Sequence, residues 1–134
     1  MLENTKLESL LNDPSLLAKK AYVAGEWVSA KDGKTFDVVN PATGEVIAKL
    51  PDLDVKDAKY AIDEAAIAQK KWAAYTGKER ASILREMYNL MTLNAKDLGI
   101  ILTSEMGKPL AEGTGEIAYA ASFFEWFGEE AKRI

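Results

Sequence analysis

Residues 117–127 constrain the fold of this chain most, because they are apolar on nearly every side of the helix that their period predicts. The aromatic residues in this segment are Tyr119, Phe123, Phe124, Trp126 and Phe127. A helix that is apolar all round has to be covered on every side by other elements. The other segments of a 134-residue chain are too few to cover it, so we expect the polypeptide that should follow Ile134 to be missing.

The spacing of apolar residues divides the chain into three segments of one incomplete domain. Residues 1–20 predict an arm or short helix, which Asp13-Pro14 interrupts because the residue before a proline disfavours helix. Residues 21–51 alternate with a period of two and predict two small β-hairpins. Residues 52–134 change to a period of three or four and predict three to four α-helices. The expected fold class is therefore α+β.

Turn residues place the two hairpins. The first hairpin turns at either Ala24-Gly25 or Gly25-Glu26, within an alternating stretch that Trp27 would anchor. The second pairs Thr35–Val39 with residues 46–50. Between these strands lie a proline, which fixes φ for a turn, and a glycine, which tolerates the conformation at the exit.

Capping residues place the first helices. Asp54 is a candidate N-cap for a helix that ends near Tyr75. Thr76 and Glu79 have the spacing of a capping box, in which each side chain accepts from a free backbone N–H of the next helix. Gly107 stops the helical pattern that follows.

Two polar pairs mark the remaining helical boundaries. Asn94 and Asp97 indicate a kink or a fresh cap within the second helical stretch. The last helix is predicted over residues 110–133, and near its end Glu129-Glu130 can pair with Lys132-Arg133 on a solvated face.

Composition excludes several classes of protein. The net charge is −4 and the basic residues are scattered, so neither a nucleic acid nor a membrane surface is an expected partner. The apolar stretches are too short for a membrane span, and Met1 to Lys20 has no secretion signal, so we expect a cytoplasmic protein. The chain contains no cysteine and no histidine, which excludes thiolate chemistry, structural zinc and a histidine-centred triad within it.

Five short stretches resemble the N-terminal part of aldehyde dehydrogenases in order and spacing. They are VAGEW at 23–27, NPATGEV at 40–46, KERASIL at 78–84, EMGKP at 105–109 and GEIAYAASFFEWFGEEAKRI at 115–134. Taken alone, these stretches are turn and cap chemistry; together they span nearly the whole chain. The last one resembles the succinate-semialdehyde dehydrogenase branch of the family.

The resemblance implies a parent about three and a half times longer, which oxidises succinate semialdehyde to succinate with NAD or NADP. In the family a cysteine thiolate attacks the aldehyde, hydride passes to the nicotinamide, and a glutamate-activated water releases the acid. All of these groups lie beyond the matching part, so no catalytic or cofactor-binding residue is assigned here. We expect the fragment to be inactive, to bind no cofactor itself, and to have the rest of the parent and further copies as partners.

The resemblance also implies two functional surfaces on this chain. Tyr119, Phe123 and Phe127 match a helix that lines the aldehyde entrance tunnel, where aromatic walls exclude water. The alternative is that these rings are core. The Val39 carbonyl and the Glu105 carboxylate match a monovalent-cation site, since a hard cation prefers oxygen ligands. The alternative for Glu105 is a solvated carboxylate at a helix end.

Two other patterns are rejected as sites. Gly113-Thr114-Gly115 is only part of a dinucleotide fingerprint and follows no predicted strand. Glu112 and Glu116 share one helix face and are expected to be solvated. A different class of function stays open: a stand-alone helical module that buries its last helix against a copy of itself.

Overall fold

The computed structural model describes residues 6–133. In that part of the chain, two antiparallel hairpins precede four α-helices, which confirms the expected α+β class. The strands are β1 at Ala21–Val23, β2 at Glu26–Val28, β3 at Thr35–Val39 and β4 at Val46–Pro51. The helices are α1 at Val55–Ala74, α2 at Gly77–Leu93, α3 at Ala95–Met106 and α4 at Leu110–Glu130.

The N-terminal arm, predicted as an arm or short helix, contains two short 3-10 helices, Glu8–Leu10 and Pro14–Leu16. Asp13 precedes the second turn, and its side chain accepts from the backbone N–H of Ser15, which favours a turn over a continuing helix. Residues 1–5 of the predicted segment lie outside the described residues. The arm supplies the main apolar cluster, which consists of Leu7, Leu11 and Leu17 packed with Ile47.

The two hairpins follow the turn chemistry of the sequence. Ala24 and Gly25 have φ values of 53° and 88°, so the first turn is at Ala24-Gly25, the first of the two alternatives. Tyr22 pairs with Trp27 across this hairpin, with 5.2 Å between ring centroids. The β3–β4 hairpin has a bulge next to Val39.

The caps predicted for α1, for the start of α2 and for the end of α3 are confirmed. The Asp54 side chain accepts from backbone N–H groups of α1, and Thr76 and Glu79 form the capping box of α2. Asn94 lies between α2 and α3. Its side chain donates to the Leu90 carbonyl of α2 and does not cap the N-terminus of α3. Gly107 ends α3 in the left-handed conformation, with φ 79°.

Small residues allow α4 to lie close to α2 and α3. Gly113, Ala121 and Gly128 are its buried positions. A Cβ added to Gly113 would lie only 2.6 Å from the Thr103 Oγ1 and 3.0 Å from the Gly99 carbonyl oxygen. Helix α4 therefore packs against α2 and α3 through small residues at its most buried positions.

Asp97 joins the N-terminal arm to α3. Its carboxylate accepts from the Asn12 Nδ2 at 2.9 Å and from the Asp13 backbone N–H at 2.8 Å, and the residue is only 4% exposed. The Asp13 N–H, and then Asn12, lower the pKa of the Asp97 carboxyl. Asp97 thus makes a long-range tertiary contact, whereas the sequence predicted a kink or a fresh cap at this point.

Candidate functional site

The aromatic face of α4, formed by Tyr119, Phe123, Trp126 and Phe127, points away from the other helices. These residues are 66%, 45%, 64% and 55% exposed, respectively. Such exposure follows from the packing of α4, because its small residues occupy the buried side. Phe124, on another side of the helix, is half-buried. The described residues therefore do not enclose the aromatic face.

An open cleft of about 680 Å³ runs along this face beside α2. Phe123, Trp126 and Phe127 provide its apolar surface, and Arg85 and Arg133 bring positive charge to its edge. The cleft is also lined by Ser122, Glu125, Glu129 and Glu130. Apolar walls with a few polar groups are typical of sites for small organic molecules.

Arg85 is held in place by two carboxylates of α4. Its guanidinium donates to Glu125 Oε1 at 2.8 Å and to Glu129 Oε1 at 3.0 Å, and it lies 5.2 Å above the Tyr88 ring centroid. The Glu125 carboxylate, followed by that of Glu129, raises the pKa of Arg85. Lys132 first, and then Arg85, lowers the pKa of the Glu129 carboxyl. Arg85 thus fixes α4 against α2, and its charge is already compensated.

Arg133 is the more accessible of the two cleft arginines. Its side chain is 75% exposed, and its guanidinium lies 3.4 Å from Glu130 Oε1. Lys132 pairs with Glu129 at 3.0 Å, so the predicted pairing of these neighbours is confirmed. A planar guanidinium that is free to move can bind a carboxylate through two parallel hydrogen bonds.

The three predicted tunnel residues lie along one stripe of α4. Phe123 and Phe127 both line the cleft. Tyr119 lies one turn earlier and packs edge-on against Phe123, with ring centroids 4.9 Å apart. The structure therefore brings two of the three rings to the cleft and places the third beside them, while their role as a tunnel wall stays a prediction.

The sequence reasoning did not single out the two cleft arginines as site residues. Arg133 had been assigned only to an ion pair, although it follows Trp126 by seven positions and so continues the aromatic stripe. No comparable signal exists for Arg85, because its position beside α4 depends on how two helices cross.

The two predicted cation ligands belong to neighbouring segments. A Cβ on Gly107, at the end of α3, would lie 3.0 Å from Pro41 Cγ in the turn that follows β3. Val39 and Glu105 are each two positions from this contact, and both are exposed. In residues 6–133, no group of three acidic side chains could hold a metal ion. The pair remains a prediction.

The rejected patterns have structural roles. Gly113-Thr114-Gly115 lies inside α4, and Gly113 packs against Thr103, so these glycines cannot form a loop around a pyrophosphate. Glu116 pairs with Lys108 on an exposed face, as expected of a solvated carboxylate. No described helix is long and apolar enough to cross a membrane.

The sequence and the fold together belong to a known class of protein. The model of the aldehyde dehydrogenase family matches residues 27–134, and the chain belongs to that family. A crystal structure of an aldehyde dehydrogenase from Brucella melitensis biovar abortus superposes with a TM-score of 0.89 at 56% identity. It is matched over 92% of this chain and 26% of that chain.

Two curated relatives are similar over 124 residues. Glutarate-semialdehyde dehydrogenase of Pseudomonas aeruginosa is 53% identical, and the succinate-semialdehyde dehydrogenase of Escherichia coli that is named for NADP is 49% identical. Each match covers 92% of this chain and 26% of the relative. The chain therefore spans about a quarter of the length of these relatives, in agreement with the prediction of an N-terminal fragment.

Proposed function

We propose that this chain forms the N-terminal part of a cytoplasmic enzyme that oxidises succinate semialdehyde to succinate with NAD or NADP. The observation that carries the proposal is the open aromatic cleft with an accessible arginine at its edge. The two relatives support it, since both are named for aldehydes with a carboxylate at the far end. Such a substrate needs apolar walls for its methylene groups and a cation for its acid.

The proposal gives each cleft residue a part in binding. Phe123 and Phe127 form the wall that excludes water, and Tyr119 supports Phe123 from the preceding turn. Arg133 binds the carboxylate of the substrate, which takes the place of Glu130 at the guanidinium. Arg85 does not compete for the substrate, because it already contacts two carboxylates.

The chain by itself is proposed to be inactive. The family reaction needs a thiolate nucleophile, and none of the 134 residues is a cysteine. The proposal assigns the cofactor to polypeptide outside the described residues, because Gly113-Thr114-Gly115, the one partial dinucleotide fingerprint considered, lies within α4. Assaying the purified chain with succinate semialdehyde and NAD or NADP should give no reduced nucleotide, whereas the Escherichia coli relative should under the same conditions. Turnover by the chain alone would contradict this part.

The binding role is tested in a chimera. The 124 residues matched in the Escherichia coli relative are replaced by those of this chain, and the chimera is expected to oxidise succinate semialdehyde. Changing Arg133→Met in the chimera should raise KM roughly ten- to hundredfold, the usual effect of losing a hydrogen bond to a charged group. Lys132→Met is the matched control and should leave KM within about threefold. Equal effects of the two changes would overturn the assignment of Arg133.

The cation site is proposed as a separate feature of this part. The Val39 carbonyl and the Glu105 carboxylate would hold a monovalent cation between the turn and the end of α3. Potassium or sodium should then raise the Tm of the chain relative to a large organic cation at equal ionic strength. Glu105→Gln should remove this difference, and Glu112→Gln should preserve it. No difference between cations in the unchanged chain would exclude the site.

A further inference from the structure

The first residue of α2 lies against the last turn of α4. Gly77 begins α2, and Ala131 is the C-cap of α4. A Cβ built on Gly77 would overlap the Ala131 carbonyl oxygen and lie 3.2 Å from its carbonyl carbon. These atoms belong to the backbone, so they cannot move aside by a change of rotamer. Any other residue at position 77 would therefore require the end of α4 to lie elsewhere.

The next contact between the same two helices has no such restriction. Gly128 lies one turn before Ala131 on α4. A Cβ on Gly128 would lie 3.5 Å from the Ala81 carbonyl oxygen and 3.5 Å from Leu84 Cβ, and these are ordinary contact distances. The overlap is thus confined to the end of α4.

The start of α2 is held more firmly than the end of α4. The capping box of α2 closes around Gly77, and Arg80 donates to the Tyr75 carbonyl at 2.6 Å, which ties this turn to the end of α1. Residues 131–133, by contrast, are held by the backbone hydrogen bonds of a helix end, and the last two of them are exposed. A methyl group on Gly77 should therefore displace the end of α4 and leave α2 in place.

Arg133 follows the end of α4 wherever it lies. The Arg133 backbone N–H donates to the Glu130 carbonyl at 2.9 Å. The Ala131 N–H donates to the Phe127 carbonyl at 3.0 Å. Phe127 forms part of the cleft wall, and Arg133 lies at the edge of the same cleft. The contact between Gly77 and Ala131 therefore sets where the guanidinium lies relative to the aromatic wall.

We propose that Gly77 is a positioning residue for the carboxylate end of the substrate. The inference rests on the proposed function, since it takes Arg133 as the group that binds this carboxylate. A guanidinium makes two parallel hydrogen bonds to a carboxylate only when the two planar groups are aligned. Misplacing a binding group by about 1 Å can cost as much as a hundredfold. Gly77 thus acts on recognition of the acid group and not on the reaction at the aldehyde.

The test uses the chimera described above and two aldehydes. Succinate semialdehyde and butanal have carbon chains of the same length, but only the first has a carboxylate. Gly77→Ala should raise KM for succinate semialdehyde about five- to tenfold, and it should leave kcat, and kcat/KM for butanal, within about twofold. Gly128→Ala is the matched control, since it adds the same methyl group to the same helix pair at an ordinary contact distance. It should leave KM for succinate semialdehyde within about twofold.

A double change separates this role from a general loss of structure. When Arg133 is already methionine, Gly77→Ala should raise KM no more than about twofold further, because it acts through the missing guanidinium. Additive effects, equal effects on both aldehydes, no effect of Gly77→Ala, or a chimera that this change unfolds would each overturn the inference and leave the proposed function intact. If Arg133→Met itself leaves KM unchanged, the proposed function fails and the inference fails with it.

Discussion

At the scale of single residues, Asp97 makes the contact that most clearly holds the arm to the helices. Its buried carboxylate accepts from Asn12 and from the Asp13 backbone N–H. Asp97→Asn keeps the shape of the side chain but replaces one carboxylate oxygen with an NH₂ donor. This donor would face the Asp13 N–H or the Asn12 amide, which are donors themselves. We expect a lower denaturant midpoint and earlier proteolysis of the arm. Asp63→Asn, at an exposed position of α1, should change neither.

The same residue should give the chain a pH-dependent stability. Folding lowers the pKa of the Asp97 carboxyl, so the ionised form is favoured in the native state. The contribution is complete above the ordinary value of 3.8 and is lost as the pH falls through the lower folded value. Denaturant midpoints between pH 6 and pH 2 should fall less steeply for Asp97→Asn than for the unchanged chain. Parallel curves would show that Asp97 does not contribute.

The sequence gives no indication of the contact between Asp97 and the N-terminal arm. Asp97 lies 85 positions from Asn12, and no periodicity connects a loop residue to a helix residue at that distance. Contacts between residues within one helical turn can be predicted from the sequence. Thr76 and Glu79 could be assigned a capping box, because both partners lie within one helical turn.

At the scale of elements, the capping box fixes the start of α2. Thr76 Oγ1 accepts from the Glu79 N–H, and the Glu79 carboxylate accepts from the Thr76 N–H. Thr76→Ala should reduce the free energy of unfolding by about 1 kcal/mol, the usual value for a lost N-cap. Thr76→Ser retains the oxygen and should lie within about 0.5 kcal/mol of the unchanged chain. Equal losses for alanine and serine would point to the methyl group instead.

The crossing of α3 and α4 permits a test with two glycines of the same helix. A Cβ on Gly113 would lie 2.6 Å from Thr103 Oγ1, whereas one on Gly115 would have no atom within 4 Å. Gly113→Ala should therefore destabilise the chain by about 1–3 kcal/mol through overpacking. Gly115→Ala should stabilise it by about 0.5–1 kcal/mol, because alanine favours helix. Urea unfolding at one protein concentration compares the two, and the same sign for both would disprove the close crossing.

The elements differ in how far the sequence could predict them. The helices from Asp54 onward follow from caps and periods, and the hairpins follow from turn residues. The spacing of three leucines predicts only an arm or short helix, and the arm forms short 3-10 helices while Leu7 and Leu11 are buried against Ile47. Packing with a distant strand determined that segment.

At the scale of the whole molecule, the aromatic helix was the strongest guide from the sequence. Because this helix has no polar face, the sequence predicts that the rest of the chain is too small to cover its aromatic side chains. Trp126 and Phe127 are indeed more than half exposed. The cleft itself could not be predicted. It depends on Arg85 of α2 reaching Glu125 and Glu129 of α4, a contact that only the assembled helices define.

The large exposed surface of the chain should also be visible in the heat capacity of unfolding. Unfolding a compact chain of this mass exposes roughly 14,000 Å², whereas this chain, with 9649 Å² already exposed, gains only about four-fifths of that area. A compact protein of 134 residues has a heat-capacity change of about 1.6–2.0 kcal/mol/K. The chain, kept monomeric by a low protein concentration, should therefore give about 1.3–1.6 kcal/mol/K by calorimetry.

The already exposed area is rich in aromatic rings, and apolar surface raises the heat capacity of unfolding while polar surface lowers it, so the lower half of that range is expected. A value of about 2 kcal/mol/K for the monomeric chain would require the aromatic face to be covered within one copy, contrary to the exposure of Tyr119 and Trp126.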